Sequence, residues 1–234
     1  MGELQRVFCE LGEHLIVCEG PAQQALWAQN VWFEPELMTV ESIGDAAKKL
    51  RAKGRSWAFY PHSLHRRGEL ITQKLPPIRQ QPLGFPPEAL PDSPMGAFLL
   101  LDQQTVLFSP QCREPYSHGA YLFAEDKEGP PNRAYLKLWE AFTRLQKWPR
   151  PGQHCLELGA SPGGWTYVLA GLGAKVTAVD RSPLDPAVAA MPQVSFVAGD
   201  AFSFGPECLG KSLEGAKIDW LFSDVICYPD KLYD

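Results

Sequence analysis

The 234-residue sequence has no apolar run approaching the roughly 18 residues that a membrane-spanning helix needs. Its opening, MGELQRVFCELGEH, lacks the basic start and apolar stretch of a secretory leader, so a cytoplasmic protein is expected. There is no C-x-x-C pair. Cys9, Cys18, Cys112, Cys155, Cys208 and Cys227 are scattered, and none of the five histidines clusters with them. Zinc-type spacing is therefore missing, no metal is expected, and the thiols read as reduced and mostly buried. Internal repeats are absent. An excess of positive charge is absent too: a net charge of −5 speaks against a generic nucleic-acid binder.

What is there is unevenly distributed. Residues 1–43 carry seven glutamates against one cation, Arg6. Residues 44–81 carry nine lysines and arginines against Asp45 and Glu69. Such a segment is either a solvated surface or, because Trp57, Phe59, Tyr60, His62 and His65 sit among the cations, a contact for unstacked RNA. Arg66 and Arg67 are the candidate phosphate contacts. The apolar share, 45%, suffices for one large core or for a medium domain with a smaller one.

Two short strands around Gly12 are expected over 7–20, and a helix opened by Pro21 over 21–32. A basic helix over 42–54, a strand over 55–61 and a second basic helix over 62–75 follow. The stretch 76–96 holds seven prolines and reads as an extended connector. A hairpin is expected over 96–111, completing a small α+β domain over residues 1–106. In the remainder, 107–234, a helix over 132–146 places Leu138, Phe142 and Leu145 on one stripe behind Asn132 as N-cap. HCLELGA, GGWTYVLAGLG, AKVTAVD, DPAVAAM, VSFVAGD and IDWLFSDV then alternate strand and helix. That alternation predicts an α/β domain whose parallel sheet is covered on both faces.

GASPGG joins the first of those strands to its helix, where such sheets bind ligands. Gly159, Gly163 and Gly164 allow close approach of backbone to a ligand. A dinucleotide fingerprint needs glycine at Ser161, and Pro162 stiffens the turn. A phosphate-binding P-loop needs Lys where Trp165 stands. Asp180, Asp200 and Asp224 end successive strands. Each alone is more simply a turn or helix cap; together they suit a ligand with a ribose, an adenine and a cationic centre free of phosphate. S-adenosyl-L-methionine meets that description.

LELGASPGGWTYVL, with these aspartates and with NRAYLKLWEAF before the first strand, resembles the FtsJ-like RNA ribose 2′-O-methyltransferases, RlmM type, over roughly residues 107–226. That type methylates a cytidine ribose of large-subunit ribosomal RNA. The resemblance implies a Rossmann-like methyltransferase sheet, of which the first four strands are present. It implies cofactor contacts from Ala134, Gly159, Ala160, Ser161, Pro162, Gly163, Gly164, Trp165, Asp180, Asp200 and Asp224. Trp165 taken alone reads as packing beneath the loop. Lys137, with Asn132 in place of the family's serine, matches the first member of a Lys-Asp-Lys-Glu tetrad and Asp224 the second. A second lysine and a glutamate belong to later strands, so this sequence, ending at YPDKLYD, is expected to stop short of the base; Lys231 stands too near Asp224 to replace it. The first 106 residues match poorly and are at most a reduced RNA-binding THUMP region with a ferredoxin-like part. A methyltransferase of a small molecule or protein, or a non-catalytic RNA- or cofactor-binding protein, stays open beside this reading. Oligomeric state is not legible.

Overall fold

The structure, a computed structural model, describes residues 7–11, 15–20, 28–203 and 217–225. The chain divides into two compact units, Met1–Leu83 with Pro87–Leu122 and Gly84–Pro86 with Phe123–Asp234. The sequence reading puts the division at 106. The hairpin straddling that point pairs wholly within the first unit, which runs on to 122.

In the first unit, β1 (Val7–Leu11) and β2 (Leu15–Cys18) form an antiparallel hairpin. Of the helix expected over 21–32, residues 21–27 lie outside the described residues and 28–31 are not helical. Trp32 instead opens β3 (Trp32–Phe33), whose partner is β8 (Gln111–Cys112). Between them run β4 (Glu36–Thr39), α1 (Ile43–Lys53), β5 (Trp57–Phe59), α2 (His65–Thr72), β6 (Gly96–Leu100) and β7 (Thr105–Ser109). Their strands form a sheet in the order β4-β7-β6-β5. Ser42 starts α1 by accepting the Asp45 amide at 3.1 Å, and Asp45 accepts the Glu41 amide at 3.0 Å, a two-way cap. Both helices bury one stripe: Ala46, Ala47, Leu50 and Ile71 join Val40, Trp57, Phe98, Leu100, Val106 and Phe108 in one core. The proline-rich stretch up to β6 holds no helix or strand element. The β6–β7 turn is tied by Asp102, which accepts the amides of Gln104 and Thr105 at 2.7 and 2.8 Å.

The second unit is α/β. It comprises α3 (Tyr135–Leu145), β9 (His154–Leu158), α4 (Gly164–Gly171), β10 (Lys175–Asp180), α5 (Pro186–Ala189), β11 (Val194–Ala198) and β12 (Trp220–Ser223). Its four strands are parallel, in the order β11-β10-β9-β12. The chain steps outward from β9 to β11 and then returns to the far side of β9. The end of β9 therefore stands where the strand order reverses, the position at which open α/β sheets receive ligands.

On α3, Tyr135, Leu138, Trp139 and Phe142 are buried, and Phe142 meets Trp220 and Phe222 edge-on, with centroids 6.2 and 5.8 Å away. Leu145, expected on that stripe, is 56% exposed. It is the helix's last residue, where the chain turns off through left-handed Gln146. Asn132 caps the turn before α3 rather than the helix itself, accepting the Ala134 amide at 3.0 Å. Coverage of the sheet on both faces is incomplete among the described residues, since Leu221 of β12 is 64% exposed. Of the cysteines described with their surroundings, Cys112 and Cys155 are buried and Cys18 is exposed, all as free thiols. Burial pushes the Cys112 and Cys155 thiols up to about 12. Cys208, Cys227 and Lys231 lie outside the described residues.

Candidate active site

The loop from Gly159 to Gly163 leaves β9 and folds back over the end of β10. The amides of Gly159 and Ala160 donate to Val179 O at 2.9 and 3.2 Å. The carboxylate of Asp180 holds the loop from below, one oxygen accepting the Ser161 amide and the other the Ser182 amide, each at 2.9 Å. The Ser161 hydroxyl donates to Pro183 O at 2.9 Å, and Pro162 O accepts the Asp185 amide at 2.9 Å. Each Asp180 oxygen thus retains a lone pair for a further donor.

The three glycines serve the protein's own packing. Gly159 has φ +81, and a Cβ there would meet Val225 Cγ1 at 2.8 Å. Gly163 has φ +111, and a Cβ there would lie 3.0 Å from Val188 Cγ1. At Gly164 a Cβ would lie 2.2 Å from Asn132 Oδ1, so this glycine admits the loop before α3. That loop is tied down again at Asp126, which accepts the amides of Gly129 and Glu128 at 3.0 and 3.1 Å and the Tyr167 hydroxyl at 2.9 Å. Those donors hold the Asp126 carboxyl below its ordinary range. A cleft of about 700 Å³ opens against the same segment, lined in part by Glu125, Lys127, Arg133 and Tyr135. Trp165 is half-buried, its indole N–H donating to Ala134 O at 2.9 Å.

Two further aspartates follow the C-terminal ends of the two outer strands. Asp224 follows β12, and its carboxylate accepts from Lys137 Nζ of α3 at 3.1 and 3.2 Å. Asp200 follows β11 and is paired with Arg181, which with the Phe202 amide holds its carboxyl low. Asp200 therefore already has an internal partner at each oxygen.

Glu157 escapes the sequence reading, although a lone carboxylate in the apolar run HCLEL is a visible signal. It sits on β9 two residues before Gly159 and is 1% exposed. Its Oε2 accepts from the buried Thr166 hydroxyl at 2.6 Å. Burial, opposed by that hydrogen bond and reinforced by Asp224 and Asp180, pushes its carboxyl up to about 8.

In the first unit the aromatics of the basic segment differ in exposure. Trp57 is buried in the core, its indole N–H donating to Gly54 O at 2.9 Å. Phe59 packs on Gly68, where a Cβ would come within 2.0 Å of its ring. Trp57 is thereby closed to a base, while Phe59 is only partly buried. Tyr60 is half-buried and donor-linked to Asn30. Among the cations, Lys49 pairs with Asp45 and Lys53 with Glu36. Arg66 is exposed; Arg67 is half-buried, and its Nε is buried with no hydrogen-bond partner. Among the described residues no group of three His, Cys, Asp or Glu could hold a metal, and no helix is long and apolar enough to cross a membrane.

Residues 130–230 match the family model described as FtsJ-like methyltransferase. Proteins named Ribosomal RNA large subunit methyltransferase M are similar to part of this chain. That of Halorhodospira halophila is 44% identical over 102 residues, 42% of this chain and 28% of its own. That of Methylococcus capsulatus is 37% identical over 106 residues, 44% of this chain and 28% of its own. The chain thus spans less than a third of the length of these relatives. The solved structure of TrmN from Thermus thermophilus overlaps 89% of this chain and 67% of its own at 13% identity with a TM-score of 0.37, too loose a likeness to carry weight.

Proposed function

We propose that the second unit binds S-adenosyl-L-methionine and belongs to an enzyme that methylates a ribose 2′-hydroxyl of large-subunit ribosomal RNA in the cytoplasm. The observation that carries this reading is the meeting of Asp180, Asp224 and Lys137 around a glycine loop at the reversal point of a parallel sheet. The match of residues 130–230 to the FtsJ-like methyltransferase model, with the similarity of part of the chain to named ribosomal RNA methyltransferases, supports the substrate class.

The residues suit the cofactor by their chemistry. Asp180, with a free lone pair on each oxygen, accepts the ribose hydroxyls. Asp200, once Arg181 yields, accepts from the adenine amino group. The backbone of Gly159, Ala160, Ser161, Pro162, Gly163 and Gly164 forms the floor, with Ala134 and Trp165 bracing it. The carboxylates of Asp180 and Asp224 favour a cation. When bound, S-adenosyl-L-methionine supplies an electrophilic methyl group.

Transfer then rests on alignment of the 2′-oxygen and on removal of its proton. Lys137 donates to and orients the 2′-oxygen, and Asp224 fixes the lysine's position. In the first unit, Arg66 and Arg67 contact RNA phosphates. The test incubates the protein carrying this chain with labelled cofactor and ribosomal RNA and scores alkali-resistant ribose methylation, beside an Arg66→Ala, Arg67→Ala variant whose RNA affinity should fall. Label entering protein or small molecules, or cofactor binding without transfer, would overturn the reading.

A further inference from the structure

Among the described residues, Glu157 is the one buried carboxyl at this site that the proposed reaction leaves without a role. We propose that Glu157 is a cation-responsive positioning residue: it ties β9 to α4 behind the glycine loop and releases a proton when a cationic nucleoside occupies the loop. The inference rests on the cofactor reading given above.

The tie is geometric. Glu157 lies two residues before Gly159, and Thr166, its partner at 2.6 Å, lies two residues after Gly164. One hydrogen bond therefore spans the base of the loop and joins the strand that enters it to the helix that leaves it. Both ends are sealed, Thr166 at 0% exposure and Glu157 at 1%. The Thr166 amide is directed at the same carboxyl.

The charge environment is one-sided. From the end of β10, Asp180 faces Glu157, and from the segment after β12, Asp224 does. From its own strand, the Cys155 thiol is near enough to feel it. α4 offers Thr166, which is neutral. The cation nearest along this chain of contacts is Lys137 of α3, and it is spent on Asp224. No ion pair reaches Glu157 among the described residues. A carboxyl so placed holds its proton at neutral pH, since water is excluded and the neighbouring charges are negative.

A fixed positive charge on the open side of the loop reverses that balance. The carboxylic acid O–H bond then breaks heterolytically, the electron pair stays on Glu157, and the proton leaves to solvent. Nothing is oxidised or reduced. The charged carboxylate is the stronger acceptor for the Thr166 hydroxyl, so the loop tightens as the cation settles. The demethylated product, a neutral thioether, does not provoke the step. The site thereby favours the methyl donor over its product, which a turnover cycle needs.

The sign follows from proton counting. Below pH 8 the free site carries a proton that the liganded site lacks, so affinity for the cation rises with pH and levels off above it. Isothermal titration calorimetry on this chain with S-adenosylmethionine and S-adenosylhomocysteine, from pH 6 to 9, tests the idea. The expected result is a gain of about three- to tenfold per pH unit for the sulfonium below pH 8, beyond that of the thioether. Glu157→Gln should remove this excess slope, while the ligands' own amino titrations persist equally in both proteins. Repeating the wild-type titration at pH 7 in two buffers of different ionisation enthalpy counts released protons directly, so the test stands even if the variant does not fold. Equal proton release for both nucleosides, or equal slopes in wild type and Glu157→Gln, overturns the proposal. Failure of either nucleoside to bind overturns the cofactor reading instead, and this inference with it.

Discussion

Lys137 Nζ lies 3.1 and 3.2 Å from the two oxygens of Asp224, a carboxylate 87 residues further along the chain. Both side chains are well exposed, at 65% and 36%, so the pair contributes little to folding. Lys137→Met should cost about 1 kcal/mol or less in a urea melt. Transfer to the ribose should fall by about two to four orders of magnitude, while calorimetric affinity for S-adenosylmethionine changes by no more than about threefold. A large loss of stability would make the pair a structural clamp instead.

Asp180 performs two tasks at once, holding the amides of Ser161 and Ser182 and offering its remaining lone pairs outward. Asp180→Ala strands both amides, and leaving such donors unpaired costs about 1–3 kcal/mol each where water cannot replace the carboxylate. Amide hydrogen exchange at Ser161 and Ser182 should accelerate, and cofactor binding should weaken at least about tenfold. Faster exchange with unchanged binding would confine Asp180 to the loop.

The parts of the fold fixed by short-range pattern are those legible from sequence. Alternating apolar runs give β9 through β12, and Ser42 and Gly54 bracket α1 because capping is local. The aspartates are legible because strand ends are. What fails depends on contacts distant in sequence. Trp57 looks like a base stacker until a sheet and two helices enclose it. That Gly164 also makes room for Asn132, 32 residues earlier, cannot be read from the loop's own sequence. Glu157 shows its importance only once Thr166 and two aspartates gather around it.

Gly164 gives a direct test of that packing. A Cβ would stand 2.2 Å from Asn132 Oδ1 and 3.5 Å from the Tyr135 amide nitrogen. Gly164→Ala should therefore destabilise the protein by about 1–3 kcal/mol. Most of that should return in Gly164→Ala, Asn132→Gly, since the obstruction is one side chain. A double-mutant cycle by chemical denaturation measures the coupling, and additive losses would refute the contact.

Arg181 occupies the Asp200 oxygen that the other strand-end contact leaves open. An adenine amino group must share or displace it, so the ion pair competes with the ligand. Arg181→Ala should tighten binding of adenosyl ligands by about two- to fivefold at low salt, the range of an exposed pair. In the wild type the same gain should emerge as salt rises and screens the pair. Weaker binding in the variant would mean that the guanidinium stays and contacts the base.

The Asp126–Tyr167 hydrogen bond, 2.9 Å long, fixes the loop before α3 to α4 and sets a pH limit. Amides of Gly129 and Glu128, then the Tyr167 hydroxyl, hold the Asp126 carboxyl below its ordinary 3.8. Its folded value is therefore the lower one, and the unfolded chain takes up the proton first as pH falls. The stabilisation is complete above the ordinary value and is lost on descending through the folded one. Tyr167→Phe removes one donor, so its stability relative to wild type should be poorest at neutral pH, and the deficit should shrink toward pH 2.5. The phenol works in the other direction: its hydrogen bond to Asp126, then burial, raises the Tyr167 group above 10, so wild type should also shed this advantage in strong alkali. Urea midpoints of the two proteins across pH 2.5–8 decide the matter, and a deficit independent of pH would assign the tyrosine to packing alone.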